Sequence, residues 1–199
     1  MSESLNQNFN HLKVHTQYSI CEGAAKIDDL QEYCKSNKIK SLGISDTSNL
    51  CGALEFAEKI SKSGTQPIIG TQINFKLNDT TGLLPLFALN ETGYKNIIEL
   101  SSNSYLENDE LSDPHVNFDE LLKSSDGVSV FSGTVLGLFG KLFDKGKFTE
   151  INEIYSKIKE VFGDRFYLEI QRHNDTNENG FEKFNLKKSI ELEIGRAHV

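Results

Sequence analysis

The chain has 199 residues, enough for one domain with a substantial core, and its 37% hydrophobic and 25% charged residues exclude a disordered or fibrous protein. Its net charge of −8 argues against DNA binding by this chain itself, because nucleic-acid affinity depends on Lys and Arg neutralising phosphates. No apolar run approaches the ~20 residues that span a bilayer, and the polar segment 1–10 has no secretory-signal pattern. We therefore expect a cytoplasmic location and no membrane contact.

The first half of the chain alternates between strand and helix patterns. The predicted strands cover residues 11–15, 41–45, 67–77 and 83–89, and the predicted helices cover 24–36, 49–63 and 91–105. Within the first helix, Ile27, Leu30 and Cys34 recur at helical spacing, so Cys34 is assigned to the core. The second helix carries one predicted buried face, formed by Leu50, Leu54, Ala57 and Ile60.

The second half continues the same alternation after a polar loop over residues 107–116. Helices are predicted over 118–123, 148–162 and from 181 to 192, and strands over 128–131 and 166–171. Strands separated by helices of ten to fifteen residues are typical of βα units with mostly parallel pairing. The sequence thus predicts an α/β fold, as a barrel or as a wound sheet.

The last residues, Glu193 to Val199, have a different origin from the rest in our interpretation. They spell what a widely used sequencing adapter encodes when it is read in frame, and such segments are excluded from fold reasoning. The alternative is a genuine helix end that is capped at Gly195. We expect the natural protein to continue beyond residue 192.

Several segments carry a family resemblance through their residues and their order. They are His11-Leu12-Lys13-Val14-His15, Gly43-Ile44-Ser45-Asp46-Thr47, Pro67-Ile68-Ile69-Gly70, Asn90-Glu91-Thr92-Gly93-Tyr94, Phe131-Ser132-Gly133 and Tyr167-Leu168-Glu169-Ile170. Over about residues 9–192 the chain resembles the PHP (polymerase and histidinol phosphatase) domain at the N-terminus of bacterial DNA polymerase III alpha subunits. So many segments in order favour this family over a lone phosphatase.

The resemblance implies a distorted (β/α) barrel that is truncated here before its last strands. Residues 1–192 would form the PHP domain, incomplete at its C-terminus, and 193–199 the foreign segment. In active members the strand ends hold several metal ions. A His-x-His pair on a strand suits such a site, because alternate side chains share one face.

Most of the family's metal-ligand positions have lost their ligand in this sequence. His15 and Glu22 keep an imidazole and a carboxylate. The other positions hold residues of unsuitable chemistry: Lys13, Thr47, Gln72, Leu83 and Thr134. The ammonium group of Lys13 would repel a cation, and we expect it to pair with Glu22 or Asp46 instead. We therefore predict no metal, no cofactor and no catalytic residue in this domain, although a partial metal site at His15 and Glu22 is the alternative.

The resemblance also implies a function for the parent protein. The full-length polymerase would add deoxynucleotides to a primer with Mg²⁺ held in a later domain, so this piece is not expected to polymerise. Its expected role is to brace the remaining polymerase domains of the same chain and to dock the proofreading exonuclease subunit. One alternative is a stand-alone metal-dependent PHP phosphoesterase, and another is an α/β binding module.

Overall fold

The computed structural model describes residues 9–108, 112–173 and 177–198. The chain divides into two compact units, Met1–Gln72 and Ile73–Val199. Helices and strands alternate within each unit, so the predicted α/β class is confirmed. Within the described ranges, no helix is long and apolar enough to cross a membrane.

Over its described residues, 9–72, the first unit contains two helices and a parallel strand pair. Its elements are α1 (Ile27–Asn37), β1 (Ser41–Thr47), α2 (Ala53–Lys62) and the first part of β2 (Gln66–Leu77). The two strands pair in parallel, with Thr47 opposite Gln72 at the end of the register. β1 is buried along most of its length, as expected of a strand that is covered on both faces. The core of this unit is formed by Ile27, Cys34, Leu42, Ile44, Phe56 and Ile60.

The second unit contains the remaining strands and helices. Its helices are α3 (Glu91–Leu106), α4 (Phe118–Lys123), α5 (Leu138–Asp144), α6 (Phe148–Phe162) and α7 (Glu178–Glu191), and a 3-10 turn covers Gly163–Arg165. Its strands are the end of β2, β3 (Thr80–Ala88), β4 (Val116–Asn117), β5 (Val128–Phe131), β6 (Phe166–Ile170) and β7 (Gly195–His198). β2 with β4, β5 with β6 and β6 with β7 pair in parallel, whereas β3 pairs antiparallel with β5. Strand pairing in this unit is therefore mixed.

The segment Asn90 to Tyr94 has a structural role at the start of α3. The Asn90 side chain caps the helix by accepting a hydrogen bond from the Gly93 backbone N at 2.9 Å. A Cβ atom at position 93 would overlap the carbonyl oxygen of Gly127, so this position needs glycine. The family resemblance of this segment thus reflects a helix start that packs against a neighbouring backbone.

Most predicted elements are confirmed to within a few residues, but two predictions in the first unit are wrong. The strand predicted over 11–15 is reduced to a parallel bridge between Val14 and Ile44, because the chain turns away at Thr16. α2 begins only at Ala53, since the Asn49 side chain accepts a hydrogen bond from the Cys51 backbone N and holds a turn there. The late start changes the buried face to Ala53, Phe56 and Ile60, and leaves Leu54 72% exposed.

Two features of the second unit were not anticipated from the sequence. α5 was missed because its apolar residues are interrupted by glycine and show no clear helical period. β7 lies within the segment interpreted as foreign and pairs with β6 from Tyr167 opposite Gly195 to Ile170 opposite His198. The adapter origin of residues 193–199 stays a prediction, as do the boundaries of the domain, and residue 199 lies outside the described residues.

Candidate functional site

Asp46 is the buried carboxylate at the centre of the candidate site in the first unit. It lies near the end of β1 and is only 1% exposed. The backbone N and the hydroxyl of Thr16 donate to its two oxygens at 2.6 and 2.7 Å, and the Ser19 hydroxyl donates at 2.7 Å. Burying a carboxylate without partners is costly, and these three donors offset that cost. Asp46 is therefore held by protein groups on both of its oxygens.

A tight turn over residues 16–23 brings these donors to Asp46. The backbone N of Ser19 donates to the carbonyl of Thr16 at 2.9 Å, and the backbone N atoms of Glu22 and Gly23 donate to the carbonyl of Ser19 at 3.0 and 2.9 Å. A Cβ atom at position 23 would overlap the Thr16 carbonyl oxygen, so glycine is required there. The same turn places the carboxylate of Glu22 beside the end of β1.

Thr47 connects this turn to both strands of the first unit. Its hydroxyl donates to Glu22 Oε2 at 2.5 Å and accepts from Gln72 Nε2 at 2.8 Å. Its backbone N donates to the Ser19 hydroxyl oxygen at 3.1 Å. The parallel register explains the contact with Gln72, which lies directly opposite Thr47. Three of the predicted ligand positions thus bond to one another.

His15 is half-buried next to this network. Its Nδ1 atom lies 3.4 Å from the Ser19 hydroxyl oxygen. Burial lowers the pKa of His15 below its ordinary value of 6.5, the positive charge of Lys13 lowers it further, and Glu22 and Asp46 partly oppose this shift. The imidazole is therefore mainly neutral near pH 7.

The two remaining predicted positions lie in the second unit. Leu83 is a half-buried residue of β3 and offers no ligand atom. The Thr134 hydroxyl accepts a hydrogen bond from the backbone N of Leu136 at 3.1 Å, which fixes a turn before α5.

The residues around Asp46 do not fit a hydrolytic metal cluster. Within residues 9–108, 112–173 and 177–198, no three His, Cys, Asp or Glu side chains converge as metal ligands. Both oxygens of Asp46 already accept hydrogen bonds, and one oxygen of Glu22 accepts from Thr47. The cationic Lys13 also lies close enough to His15 to lower its pKa. A divalent ion at Asp46 or Glu22 would have to compete with the protein donors that these carboxylates already bind.

Sequence reasoning did not identify Thr16 and Ser19 as part of the site. Both side chains are buried, with exposures of 0% and 1%, and together they supply the hydroxyl donors to Asp46. The available signal was chemical, because a carboxylate in a buried strand must find donors and these hydroxyls follow shortly after His15.

Comparisons with known proteins identify the family. The family model described as "PHP domain" matches residues 11–173. The DNA polymerase III subunit alpha of Caulobacter vibrioides is 38% identical over 186 residues, which cover 87% of this chain and 16% of that protein. The subunit of the same name from Borreliella burgdorferi is 35% identical over 202 residues, covering 96% of this chain and 18% of that protein. The chain thus spans about a sixth of the length of these relatives.

Two solved structures have folds similar to the fold of this chain. A protein from Bifidobacterium adolescentis described as a metal-dependent phosphoesterase matches with a TM-score of 0.51 and 13% identity, covering 95% of this chain and 85% of that one. An amidohydrolase from Chromobacterium violaceum matches with a TM-score of 0.56 and 10% identity, covering 94% and 84%. At these identities the likeness concerns the fold alone, and it confirms the predicted PHP type of α/β fold. The chain therefore belongs to the PHP domain family, and it is homologous to the N-terminal region of bacterial DNA polymerase III alpha subunits.

Proposed function

We propose that this PHP domain is a structural and docking module of a replicative DNA polymerase and has no hydrolytic activity of its own. The observation that carries the proposal is the closed network at the family's metal positions. Thr47 is bonded to both Glu22 and Gln72 at these positions, and next to them three protein donors surround Asp46. Groups that would face an ion in an active member bind one another here.

The residue chemistry supports the same conclusion. A hydrolytic cluster activates water with ions that several imidazoles and carboxylates hold. Lys13 brings a positive charge, and like unit charges ~4 Å apart at an effective dielectric of ~20 repel by about 4 kcal/mol. Leu83 offers no donor atom, and the oxygen atoms of Thr47 and Gln72 are neutral, so they cannot balance the charge of a divalent ion.

The parent protein in this proposal is the polymerase alpha subunit. Its relatives carry that name, and each is about six times as long as the matched region. Polymerisation, with Mg²⁺ held by aspartates, would belong to a later domain of the same chain. This domain would brace those later domains in the cytoplasm and would contribute little to DNA binding, given the net charge of −8.

The docking role is supported by two exposed apolar side chains near the candidate site. Ile20, at the tip of the 16–23 turn, is 85% exposed, and Leu54 on α2 is 72% exposed. The turn and the start of α2 are neighbours, because Asn49 Nδ2 donates to the carbonyl of Tyr18 at 2.9 Å. The exposed side chains of Ile20 and Leu54 on an acidic domain suit a partner peptide that is both apolar and basic. We propose that this peptide is the tail of the proofreading exonuclease subunit.

The alternative function is a metal-dependent phosphoesterase. It is favoured by the similarity in fold to the Bifidobacterium adolescentis protein described in that way. The hydrogen-bonded state of Asp46, Glu22 and Thr47 disfavours it, because an ion would have to compete with the protein groups that these side chains already bind.

Calorimetric titration of the protein with the exonuclease tail peptide tests the docking role. We expect measurable binding, and we expect Ile20→Ser or Leu54→Ser to weaken it about tenfold, the effect of losing ~1.4 kcal/mol of apolar contact. Ile190→Ser is the matched control, since Ile190 is 77% exposed on α7 of the second unit. Absence of binding, or an equal loss for the Ile190 variant, would contradict the docking role.

A further inference from the structure

We infer that Gln72 and Thr47 form a directional hydrogen-bonded clasp on the 16–23 turn, and that the clasp requires a neutral amide at position 72. The inference rests on the proposed absence of a metal and goes beyond it. Gln72 would then be a positioning residue whose amide holds the turn, so that its identity matters for the metal-free fold.

The direction of the clasp follows from the number of protons available. The Thr47 hydroxyl has one hydrogen, and Glu22 as an ionised carboxylate can only accept it, at 2.5 Å. The oxygen of Thr47 can therefore only accept from its other neighbour, and the amide Nε2 of Gln72 donates to it at 2.8 Å. The amide of Gln72 thus donates to the hydroxyl of Thr47, and this hydroxyl donates to the carboxylate of Glu22.

The clasp links three separate parts of the first unit. Glu22 belongs to the turn, Thr47 to the end of β1, and Gln72 to β2. The backbone N of Ser48 also donates to the Gln72 carbonyl at 2.8 Å, which fixes the β2 end of the link. Gln72 is 6% exposed, so an amide there that lost its partner would be a buried polar group without a hydrogen bond.

A carboxylate at position 72 would break the clasp. In the variant Gln72→Glu, the ionised side chain would have no hydrogen to donate, and it would compete with Glu22 for the single hydrogen of Thr47. It would also place a second negative charge next to Glu22. A metal site at this position favours a carboxylate, whereas the clasp needs an amide, so the two arrangements exclude each other.

Hydrogen exchange read by mass spectrometry tests the clasp on the full chain. The variants are Gln72→Glu, Thr47→Val, which removes the hydroxyl at constant shape, and the control Thr47→Ser, which keeps it. We expect the turn amides of Glu22 and Gly23 to exchange about tenfold faster in the first two variants and within about twofold of the original protein in the control. Exchange in α1, which belongs to the same unit as the clasp, reports whether each variant is still folded.

Each protein is measured with chelator and with added zinc. Unchanged turn exchange in Gln72→Glu would overturn the clasp, whereas zinc that slows exchange in that variant alone would support it, because the carboxylate then favours a metal over the clasp. Faster turn exchange of the original protein in chelator would instead overturn the proposed metal-free function, so the two failures are distinguishable. The result expected is equal rates with zinc and with chelator for the original protein and for Thr47→Ser, combined with the tenfold faster exchange of Gln72→Glu and Thr47→Val in chelator.

Discussion

A carboxylate buried in a strand must be matched by donors, and Asp46 shows how this chain supplies them. The family resemblance marked Thr47 and Gln72 as ligand positions, and the structure connects these two residues through the strand register. The sequence could not reveal the donors to Asp46, because the hydroxyls of Thr16 and Ser19 reach Asp46 only through the turn over residues 16–23. Directions of hydrogen bonds are set by tertiary structure, which a residue pattern does not contain.

The first prediction concerns the stability that the Asp46 network provides. Asp46→Asn replaces an acceptor oxygen by a donor opposite Thr16 or Ser19 and should lower the free energy of unfolding by about 3 kcal/mol. Urea denaturation followed by circular dichroism measures the change. Asp28→Asn serves as the control, because Asp28 pairs with Lys59 at a site where its side chain is 72% exposed, and a much smaller change is expected. A neutral effect of Asp46→Asn would contradict the account of this network.

The second prediction concerns the pH dependence caused by His15. Because its pKa in the folded protein lies below 6.5, the folded state binds the proton less tightly than the unfolded chain does. The free energy of unfolding should therefore decrease as the pH falls below about 6.5 and should level off below the folded-state pKa. His15→Asn should flatten this part of the profile. An NMR titration midpoint for His15 above 6.5 would contradict the prediction.

At the scale of single elements, periodicity predicted most helices and strands, and failures occurred where local turns intervene. The helix over Phe148–Phe162 was predicted with its observed bounds because its apolar stripe is regular. The predicted start of α2 was too early, because the Asn49 side chain stabilises a turn that the hydrophobic periodicity does not indicate. The buried face then shifted from Leu54 to Ala53 and Phe56.

The third prediction tests the close approach at the start of α3. Gly93→Ala should lower the free energy of unfolding by about 3 kcal/mol, because the new Cβ would overlap the backbone of Gly127. Gly180→Ala in α7 is the matched control, since its Cβ would meet Phe143 at an ordinary 3.5 Å and alanine favours the helix by up to ~1 kcal/mol. Thermal denaturation of both variants measures the difference, and similar midpoints would argue against the close approach.

At the scale of the whole molecule, the family resemblance predicted the α/β class and the PHP type of fold, which the comparisons confirm. The proposed docking role could not be read from composition, because a net charge of −8 fits many acidic proteins. The exposure of Ile20 and Leu54 depends on the conformation of the 16–23 turn and on the residue at which α2 starts, and the sequence alone did not predict either of them. In the proposed function, hydrogen bonds between Glu22, Thr47 and Gln72 replace metal binding at these positions.

Elemental analysis, combined with an activity assay, tests the proposed absence of bound metal and of hydrolysis. The protein is purified without chelator, incubated with zinc or manganese and dialysed, and its metal content is measured together with phosphomonoester hydrolysis. We predict metal well below one ion per chain and no turnover, because Asp46, Glu22 and Thr47 are already bonded to protein groups. Stoichiometric metal, or turnover that His15→Ala abolishes, would contradict the account.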